Sequence, residues 1–474
     1  MAPGAGLAGA GTTVGLVLAA GAGSRFGGGK LLAPLAGRPI LQHVLDRLAD
    51  AGLADVTVVL GREAPTIERA IAWRSERRVV NPDPERGLAS SLQVGMAAIR
   101  PDAEAVLIAL GDQPLVALAT IRSLLDAGAD PSRPAVVPAY ADDPGRNPVL
   151  LRRAGFHLAG EASGDRGLGP VLATHPDAVQ EVSMTGDNLD VDTQADLARA
   201  AETAWAARVR ANREQVERVR EVPDGSDFYA PVRGLFRADP TRTDDAILNV
   251  LLDLVRSGDR WLDVGAGAGR FALPIARALD PSGGSVVALD ASPSMLEGLL
   301  EIAEDYAIEN LRAVEARWPP ADAGAFDADV VLIAHVGYDI EAIGGFIDAL
   351  EAAALRQCVA VLTQQPPAAA ADPFWLAVHG EARLALPALP DLVDLLRARG
   401  RDPSVVRLSG EPRRFESRDA LEGFAQRQLW IDPAGGKADR LRAALDDLAV
   451  ADDAGWTIRG RPPTDTGVVT WGPR

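Results

Sequence analysis

The first residues able to do chemistry lie in the run Leu18-Ala19-Ala20-Gly21-Ala-Gly23-Ser24-Arg25-Phe-Gly-Gly-Gly-Lys30. Glycines let backbone N–H groups turn into a concave anion nest that a Cβ would obstruct. Arg25 and Lys30 add two full positive charges, which suits the β- and γ-phosphates of a nucleoside triphosphate. The spacing is not that of a P-loop: Ser24 stands at the first glycine position and Leu31 where a hydroxyl is needed. It is not a dinucleotide fingerprint either, because the spacing after Gly23 is wrong and no acid closes the second apolar run. Asp112, in Gly111-Asp-Gln-Pro114, follows the apolar run Ala105–Leu110 and is suited to hold Mg²⁺ against phosphate oxygens. Asp190-Val-Asp192-Thr193 puts two carboxylates on one side of an extended segment. That segment offers either a second metal ligand or a helix cap by Asp192 or Thr193.

A second constellation begins at Trp261-Leu-Asp263-Val-Gly265-Ala-Gly267-Ala-Gly269-Arg, with Asp290 lying 21 residues beyond Gly269. Glycines there allow close backbone approach, and an acid ending the next strand can accept both hydroxyls of a ribose.

Strands must position both sets. Val14–Leu18, Asp55–Leu60, Arg78–Val80, Ala105–Leu110 and Ala135–Pro138 read as strands, with helical periodicity at Ile40–Ala51, Ser90–Ile99 and Thr120–Ala127. Near-continuous apolar strands alternating with helices predict a parallel sheet covered on both faces. The same alternation returns at Trp261–Val264, Val286–Leu289, Val330–Ala334 and Val359–Thr363. The fold class expected is α/β, with two Rossmann-like three-layer α/β/α domains and mostly parallel sheets. Between them Ala204–Val222, rich in Ala, Arg and Glu, reads as a solvated connecting helix ending at the turn Pro223-Asp-Gly225. The proline-rich patch Gln364–Pro373 reads as a loop or lid. The expected domains are a flexible N-terminus 1–12, a first domain 13–200, the connecting helix 201–224 and a second domain 225–474.

Composition narrows the partners. A 474-residue chain with 47% hydrophobic and 24% charged residues is globular and long enough for two to four domains. The sole cysteine, Cys358, excludes an intrachain disulfide and suits a reducing cytoplasm. Residues 1–12 carry no Lys or Arg, so a secretory n-region is not expected, and no apolar run reaches the ~18 residues of a membrane span. A formal charge of −18 opposes binding to nucleic acid and favours small-molecule substrates.

Residues 14–199 resemble the MobA-like nucleotidyltransferases, specifically the molybdenum cofactor cytidylyltransferase branch. The stretches that carry this are the Leu18–Lys30 loop, Gly37-Arg-Pro-Ile, Gly87-Leu-Ala-Ser90-Ser91-Leu-Gln, Gly111-Asp-Gln-Pro, Asn147-Pro-Val-Leu, Gly164-Asp-Arg-Gly and Asp190-Val-Asp-Thr. The resemblance implies that Asp112 and Asp192 share the metal and that Gly87 with Ser90 or Ser91 lies near the base. Leu18, Ala19, Ala20, Gly21, Gly23 and Ser24 would then bind the nucleotide, with Arg25, Lys30 and Asp112 as the catalytic set. Ala20 points to cytidine, since the guanosine-using branch has a second glycine there. The implied reaction transfers CMP from CTP to a phosphate-bearing acceptor such as molybdopterin cofactor, with a molybdoenzyme as the protein that receives the product. One departure stands out: the family's arginine near Gly169 is absent, leaving Arg166, Arg146 and Arg152 as substitutes.

Residues 225–365 resemble the class I S-adenosylmethionine methyltransferases. Asp263-x-Gly265-x-Gly267-x-Gly269, Asp290-Ala291-Ser-Pro-Ser-Met295, Asn310-Leu-Arg-Ala-Val-Glu315 and Phe326-Asp-Ala-Asp-Val-Val-Leu-Ile-Ala334-His335 carry the likeness. It implies S-adenosylmethionine on Asp263, the three glycines, Asp290, Ala291, Met295, Glu315 and Ala334, with His335 and Tyr338 toward the substrate. Two other readings exist: an NAD(P)H-dependent oxidoreductase of the same N-terminal family, and a methyltransferase half that only binds its cofactor to regulate.

Overall fold

The computed structural model describes residues 13–473 apart from 22, 129, 224–237, 321–325, 412 and 462. The expected flexible N-terminus, the Asp224-Gly225 turn and the proposed domain start at 225 lie outside those residues. The chain divides into two compact units, Met1–Ala201 and Glu202–Arg474.

In the first unit seven strands form one sheet: β1 (Thr13–Ala19), β2 (Val56–Leu60), β3 (Arg77–Val80), β4 (Ala105–Leu110), β5 (Ala135–Tyr140), β6 (Val149–Arg152) and β7 (Val179–Met184). Their spatial order is β3-β2-β1-β4-β6-β5-β7. β1 runs parallel to β2 and β4, while β6 is antiparallel to both β4 and β5. Alternate residues of one strand serve two cores, as the two-residue period requires. Val17 and Ala19 face the core shared with the helix Ile40–Asp50, and Val14, Leu16 and Leu18 face the core shared with Leu88–Ala98. Both faces are therefore covered, which is why these strands are apolar throughout. The sheet is mostly parallel, as expected; the exception is β6, a four-residue strand too short to show in the sequence.

The second unit holds a further seven-stranded sheet. Its strands are β8 (Arg260–Val264), β9 (Ser285–Asp290), β10 (Leu311–Glu315), β11 (Ala328–Ala334), β12 (Ala354–Thr363), β13 (Ser404–Leu408) and β14 (Thr466–Trp471). The order is β10-β9-β8-β11-β12-β14-β13, parallel except that β14 is antiparallel to β12 and β13. A separate apolar cluster joins the helices Asp372–His379, Arg418–Leu429 and Gly436–Leu448 through Phe374, Trp375, Leu421 and Leu441.

Two local expectations fail here. The segment read as a solvated connector is the latter part of a 26-residue helix, Gln194–Val219, and it has a buried side. Trp205, Val209 and Val219 are buried, Trp205 Nε1 donates to Ile340 O at 3.0 Å, and Arg208 pairs with Asp391. Its arginines are polar in sequence yet are used against carboxylates of the same unit. The patch Gln364–Pro373 is no lid either: Pro367–Ala371 is a 3₁₀ turn leading into Asp372–His379, with Ala371 and Phe374 fully buried. Pro373 falls in the first helical turn, where a missing N–H costs nothing. Among the described residues no helix is long and apolar enough to cross a membrane.

Candidate functional site

In the first unit the C-terminal ends of β1 and β4 lie side by side, with Leu18 opposite Leu110. Gly111 N donates to Leu18 O at 2.9 Å, which fixes the residue before Asp112 against the start of the glycine loop. A Cβ at Gly61 would stand 2.4 Å from Ala20 O, so the β2 end closes on the loop through a bare backbone. Asp112 O in turn accepts from Val191 N at 3.1 Å, drawing the distant segment Asp190–Asp192 to the same edge.

The charged side chains meet there. Lys30 Nζ donates to Asp112 Oδ2 at 2.6 Å and to Asp192 Oδ1 at 3.0 Å, and Arg25 Nη1 approaches Asp192 Oδ2 at 3.4 Å. Burial would lower the Lys30 pKa, but the Asp112 charge and the hydrogen bonds to both carboxylates outweigh it, so the value is raised above 10.5. The fold brings Arg25, Lys30, Asp112 and Asp192 together; Lys30 reaches inward onto the carboxylates while Arg25 stays exposed. Asp190 takes a different path and accepts from Gln113 Nε2 at 2.7 Å. Partial burial, then the Asp112 charge, pushes its carboxyl up to about 6. The helix cap is made by Thr193: its Oγ1 accepts from Asp196 N, while Asp196 Oδ2 accepts from Thr193 N at 2.8 Å. Asp192 is thereby left to face Lys30.

This donor set fits a divalent cation. Two carboxylates converge on one point, and Asp112 Oδ1 is buried with no hydrogen-bond partner. With Asp190 ionised, three carboxylates stand against two cations. Among the described residues no group of three or more His, Cys, Asp or Glu forms a ready-made metal cage, so phosphate oxygens or water would have to complete any coordination.

The glycine loop is only partly a nest. Phe26, Gly27 and Gly28 donate their N–H groups back to Gly23 O, and Gly29 N donates to Glu63 Oε1 at 3.1 Å. Among the described residues no backbone hydrogen bond is made by the amides of Gly21, Gly23, Ser24 and Arg25. Glu63, absent from the sequence reading, holds the far end of the loop; nothing in its spacing marked it. Gly87, at φ 91°, packs where a Cβ would stand 2.3 Å from Asp165 Oδ1, so it meets the Gly164-Asp165 turn. Ser90 and Ser91 are both buried, and both hydroxyls accept from Asn81 Nδ2, at 2.9 and 3.0 Å. They tie the start of the helix Leu88–Ala98 to Asn81.

Beside Leu18 and Leu110 opens a cavity of about 270 Å³, walled by Leu88, Leu92, Ile108 and Leu172, with Arg146 and Arg166 at its polar side. Gly169 also lines it, and a Cβ there would meet nothing within 4 Å. Arg152 does not take part; it donates to Ala127 O, Gly128 O and Arg133 O.

In the second unit Asp290 ends β9 and accepts from Gly267 N at 2.8 Å and Ser292 N at 2.8 Å. Gly265, Gly267 and Gly269 all have positive φ, and a Cβ on Gly265 would stand 2.4 Å from Val336 Cγ2. Glu315 is the register partner of Asp290 on β10, and Ala334 ends β11. Ala291 is exposed beside Asp290, whereas Met295 is buried in the helix Pro293–Asp305. Asp263 lies inside β8 with Oδ1 buried and unpartnered; burial first, then the Asp290 charge, pushes its carboxyl up to about 7. The three glycines, Asp290, Ala291, Glu315 and Ala334 thus gather at the strand ends where ligands of open α/β sheets bind. His335 follows in left-handed backbone at φ 58°, and the Tyr338 hydroxyl is engaged by Thr363, accepting from its N at 2.8 Å.

Comparison with known proteins agrees with this division. The MobA-like NTP transferase domain matches residues 15–179, and a methyltransferase domain matches residues 262–363. Nicotine blue oxidoreductase of Paenarthrobacter nicotinovorans is 32% identical over 191 residues, covering 38% of this chain and 91% of that protein. Bifunctional protein GlmU of Sinorhizobium fredii is 33% identical over 151 residues, or 31% of this chain, and the chain spans only 33% of its length. The crystal structure of Rv0371c from Mycobacterium tuberculosis is 34% identical, with a TM-score of 0.36, covering 40% of this chain and 97% of that one. The chain belongs to the MobA-like NTP transferases and carries a methyltransferase domain fused behind that domain.

Proposed function

We propose that the first unit transfers a nucleotide, CMP from CTP, to a phosphate-bearing acceptor such as molybdopterin cofactor, and that the second methylates a small molecule with S-adenosylmethionine. The observation that carries the first half is the Lys30 ammonium bridging Asp112 and Asp192 at the strand ends beside the loop. An oxygen of the acceptor phosphate attacks the α-phosphorus of CTP; that P–O bond forms, the α–β bridging P–O bond breaks, and pyrophosphate leaves. No general base is needed, because the nucleophile is already anionic. The chain's work is positioning and charge. The amides of Gly21, Gly23, Ser24 and Arg25 and the exposed Arg25 guanidinium meet the triphosphate, while Lys30 holds both carboxylates in register. Asp112 and Asp192 would hold Mg²⁺, which supplies neutralisation of the phosphate oxygens when bound. The reading implies a cytoplasmic enzyme and a molybdoenzyme that takes up its product.

Incubating the chain with each nucleoside triphosphate, MgCl₂ and molybdopterin, and following pyrophosphate, tests the first half. CTP should be preferred and Asp112→Ala should abolish release; full activity in Asp112→Ala refutes the assignment. For the second half, calorimetry should show S-adenosylmethionine binding that Asp290→Ala weakens, and absence of binding refutes it. A second reading, reduction of a substrate by NAD(P)H, draws support from the match along 91% of nicotine blue oxidoreductase. NADPH consumption without pyrophosphate release would favour it.

A further inference from the structure

Two excursions of the chain leave the second sheet at one edge. β8, β9, β11 and β12 run parallel, and Ala334 stands beside Val361, so the end of β12 lies with the strand ends that carry Asp290 and Ala334. The start of β14 pairs with the ends of β12 and β13, Thr466 being opposite both Thr363 and Leu408. Residues 364–388 and 409–465 therefore both rise from the edge where ligands of open α/β sheets bind. Gln364 N donates to Asp465 O at 2.7 Å, which joins their roots. Their helices share one apolar cluster through Phe374, Trp375, Leu421 and Leu441, so the two excursions form a single cap.

The charges of this cap do not balance. Asp372 pairs with Arg383 Nη1 at 3.0 Å, and that guanidinium, on a side chain 8% exposed, lies over the Trp375 ring. Arg461 Nη1 donates to Ala370 O, two residues before Asp372. Arg413 lies over Phe415 and Phe424, 5.5 and 4.3 Å from the ring centroids. Among the described residues neither Arg461 nor Arg413 is ion-paired with a carboxylate. Partial burial pulls both guanidinium groups below their ordinary value. At Arg461 the Asp372 charge opposes this and the Arg413 charge adds to it; at Arg413 the Arg427 charge adds to it. One carboxylate thus stands against the guanidinium groups of Arg383, Arg413 and Arg461, in a chain whose formal charge is −18. The rings hold Arg413 in place while it stays open to solvent, and Arg461 has donors beyond the one it gives to Ala370 O. Forked donors held in this way suit an oxyanion.

We propose that this cap binds the molecule to be methylated, and that this molecule is a small dianion, carboxylate or phosphate, held by Arg413 and Arg461. The assignment rests on the methyl-transfer reading for the word methylated, and on the arginines alone for the charge of the ligand.

The test uses the full chain in calorimetry with succinate, inorganic phosphate and succinamide, the uncharged counterpart of succinate. The expected result is saturable binding of a dianion at least about tenfold tighter than that of succinamide. Succinate ahead of phosphate assigns a dicarboxylate, and the reverse order a phosphoester. Arg413→Gln and Arg461→Gln should each weaken the dianion about fivefold or more. Arg413→Lys, which keeps the charge, should retain most of the affinity. Melting curves show whether each variant keeps its fold, and the exposed Arg413 serves alone if Arg461→Gln does not. Dianion binding unchanged in Arg413→Gln, or succinamide bound as tightly as the dianions, overturns the proposal. So does displacement of the dianion by S-adenosylhomocysteine, which would put the anion in the place of the cofactor. S-adenosylhomocysteine binding is measured beside these. Its absence while a dianion still binds through Arg413 refutes methyl transfer but upholds the anion site; its presence with no preference for a dianion does the reverse.

Discussion

Replacing Lys30 with methionine tests the central feature of the N-terminal site. The side chain keeps its apolar stem, but Asp112 and Asp192 then face each other without the ammonium that lies 2.6 and 3.0 Å from them. Removing one partner of a fully buried pair costs about 3–5 kcal/mol, while an exposed pair contributes about 0–1. The Lys30 and Asp112 side chains are 10% and 24% exposed and Asp192 47%, so the loss belongs between these limits. A value of about 2 kcal/mol corresponds to a melting temperature lower by about 4–8 °C for a unit of this size. The raised Lys30 pKa sets the pH range: its contribution is whole below 10.5 and lost only as pH climbs through the higher folded value. The difference between wild type and variant should therefore be constant from about pH 6 to 9. Magnesium should act in the opposite sense. Without Lys30 the site gains a further unit of negative charge, so MgCl₂ should raise the melting temperature of the variant more than that of wild type. Differential scanning calorimetry with and without MgCl₂ measures both effects. A variant that melts with wild type and responds equally to magnesium would refute the idea that Lys30 is the counterion of the two carboxylates.

Three other outcomes are expected. Asp263, pushed up to about 7, keeps a proton in the folded state that an ordinary carboxyl at 3.8 has already released. Its folded value is raised, so stability falls as pH rises between those values and stays lower above pH 7; Asp263→Asn should flatten that slope in urea melts at pH 4.5, 6 and 8. Gly265→Ala puts a Cβ at φ 77° and 2.4 Å from Val336, costing about 1–2 kcal/mol for the backbone alone and weakening S-adenosylmethionine binding in calorimetry. Glu351 is 4% exposed, accepts from Arg401 at 2.8 and 2.7 Å and from Trp471 Nε1 at 3.1 Å; Glu351→Ala leaves that guanidinium unpaired and should cost about 3–5 kcal/mol in denaturant unfolding. An unchanged midpoint would show that Arg401 is hydrated there.

The parts of this molecule legible in the sequence are those with an unambiguous local signal. β1, β2 and β4 read as strands because both their faces are buried and the apolar run is continuous. Asp112 and Asp290 were found because each follows such a run directly. β6 was invisible because four residues carry no usable period, and β13 and β14 because their pairing comes from distant chain. The misreading of Ala204–Val222 has a sharper lesson. Arginines on a helix look the same whether they face water or, like Arg208 and Arg210, face Asp391 and Glu341. Ser90 and Ser91 make a matching point: a motif fixes residue type, but Asn81, which donates to both hydroxyls, sits outside it.

The two sites share one construction and differ in how charge is balanced. Each places a carboxylate at or near the end of a parallel strand, against a turn of glycines that permits close approach. At the first, the chain supplies its own cation: Lys30 reaches both Asp112 and Asp192, and the carboxylates are held apart and in place before any ligand arrives. At the second, no side-chain cation is hydrogen-bonded to Asp263 or Asp290 among the described residues. Asp290 is satisfied by backbone N–H groups, and Asp263 is left buried with an unpartnered oxygen. A carboxyl in that condition gains most from a positive group delivered from outside, since pairing would offset the burial that raises its pKa. The first site thus carries its own counterion, whereas in the second the charge is met by backbone N–H groups and by burial alone. That contrast follows from where the lysine is and is not, in two sheets of similar construction.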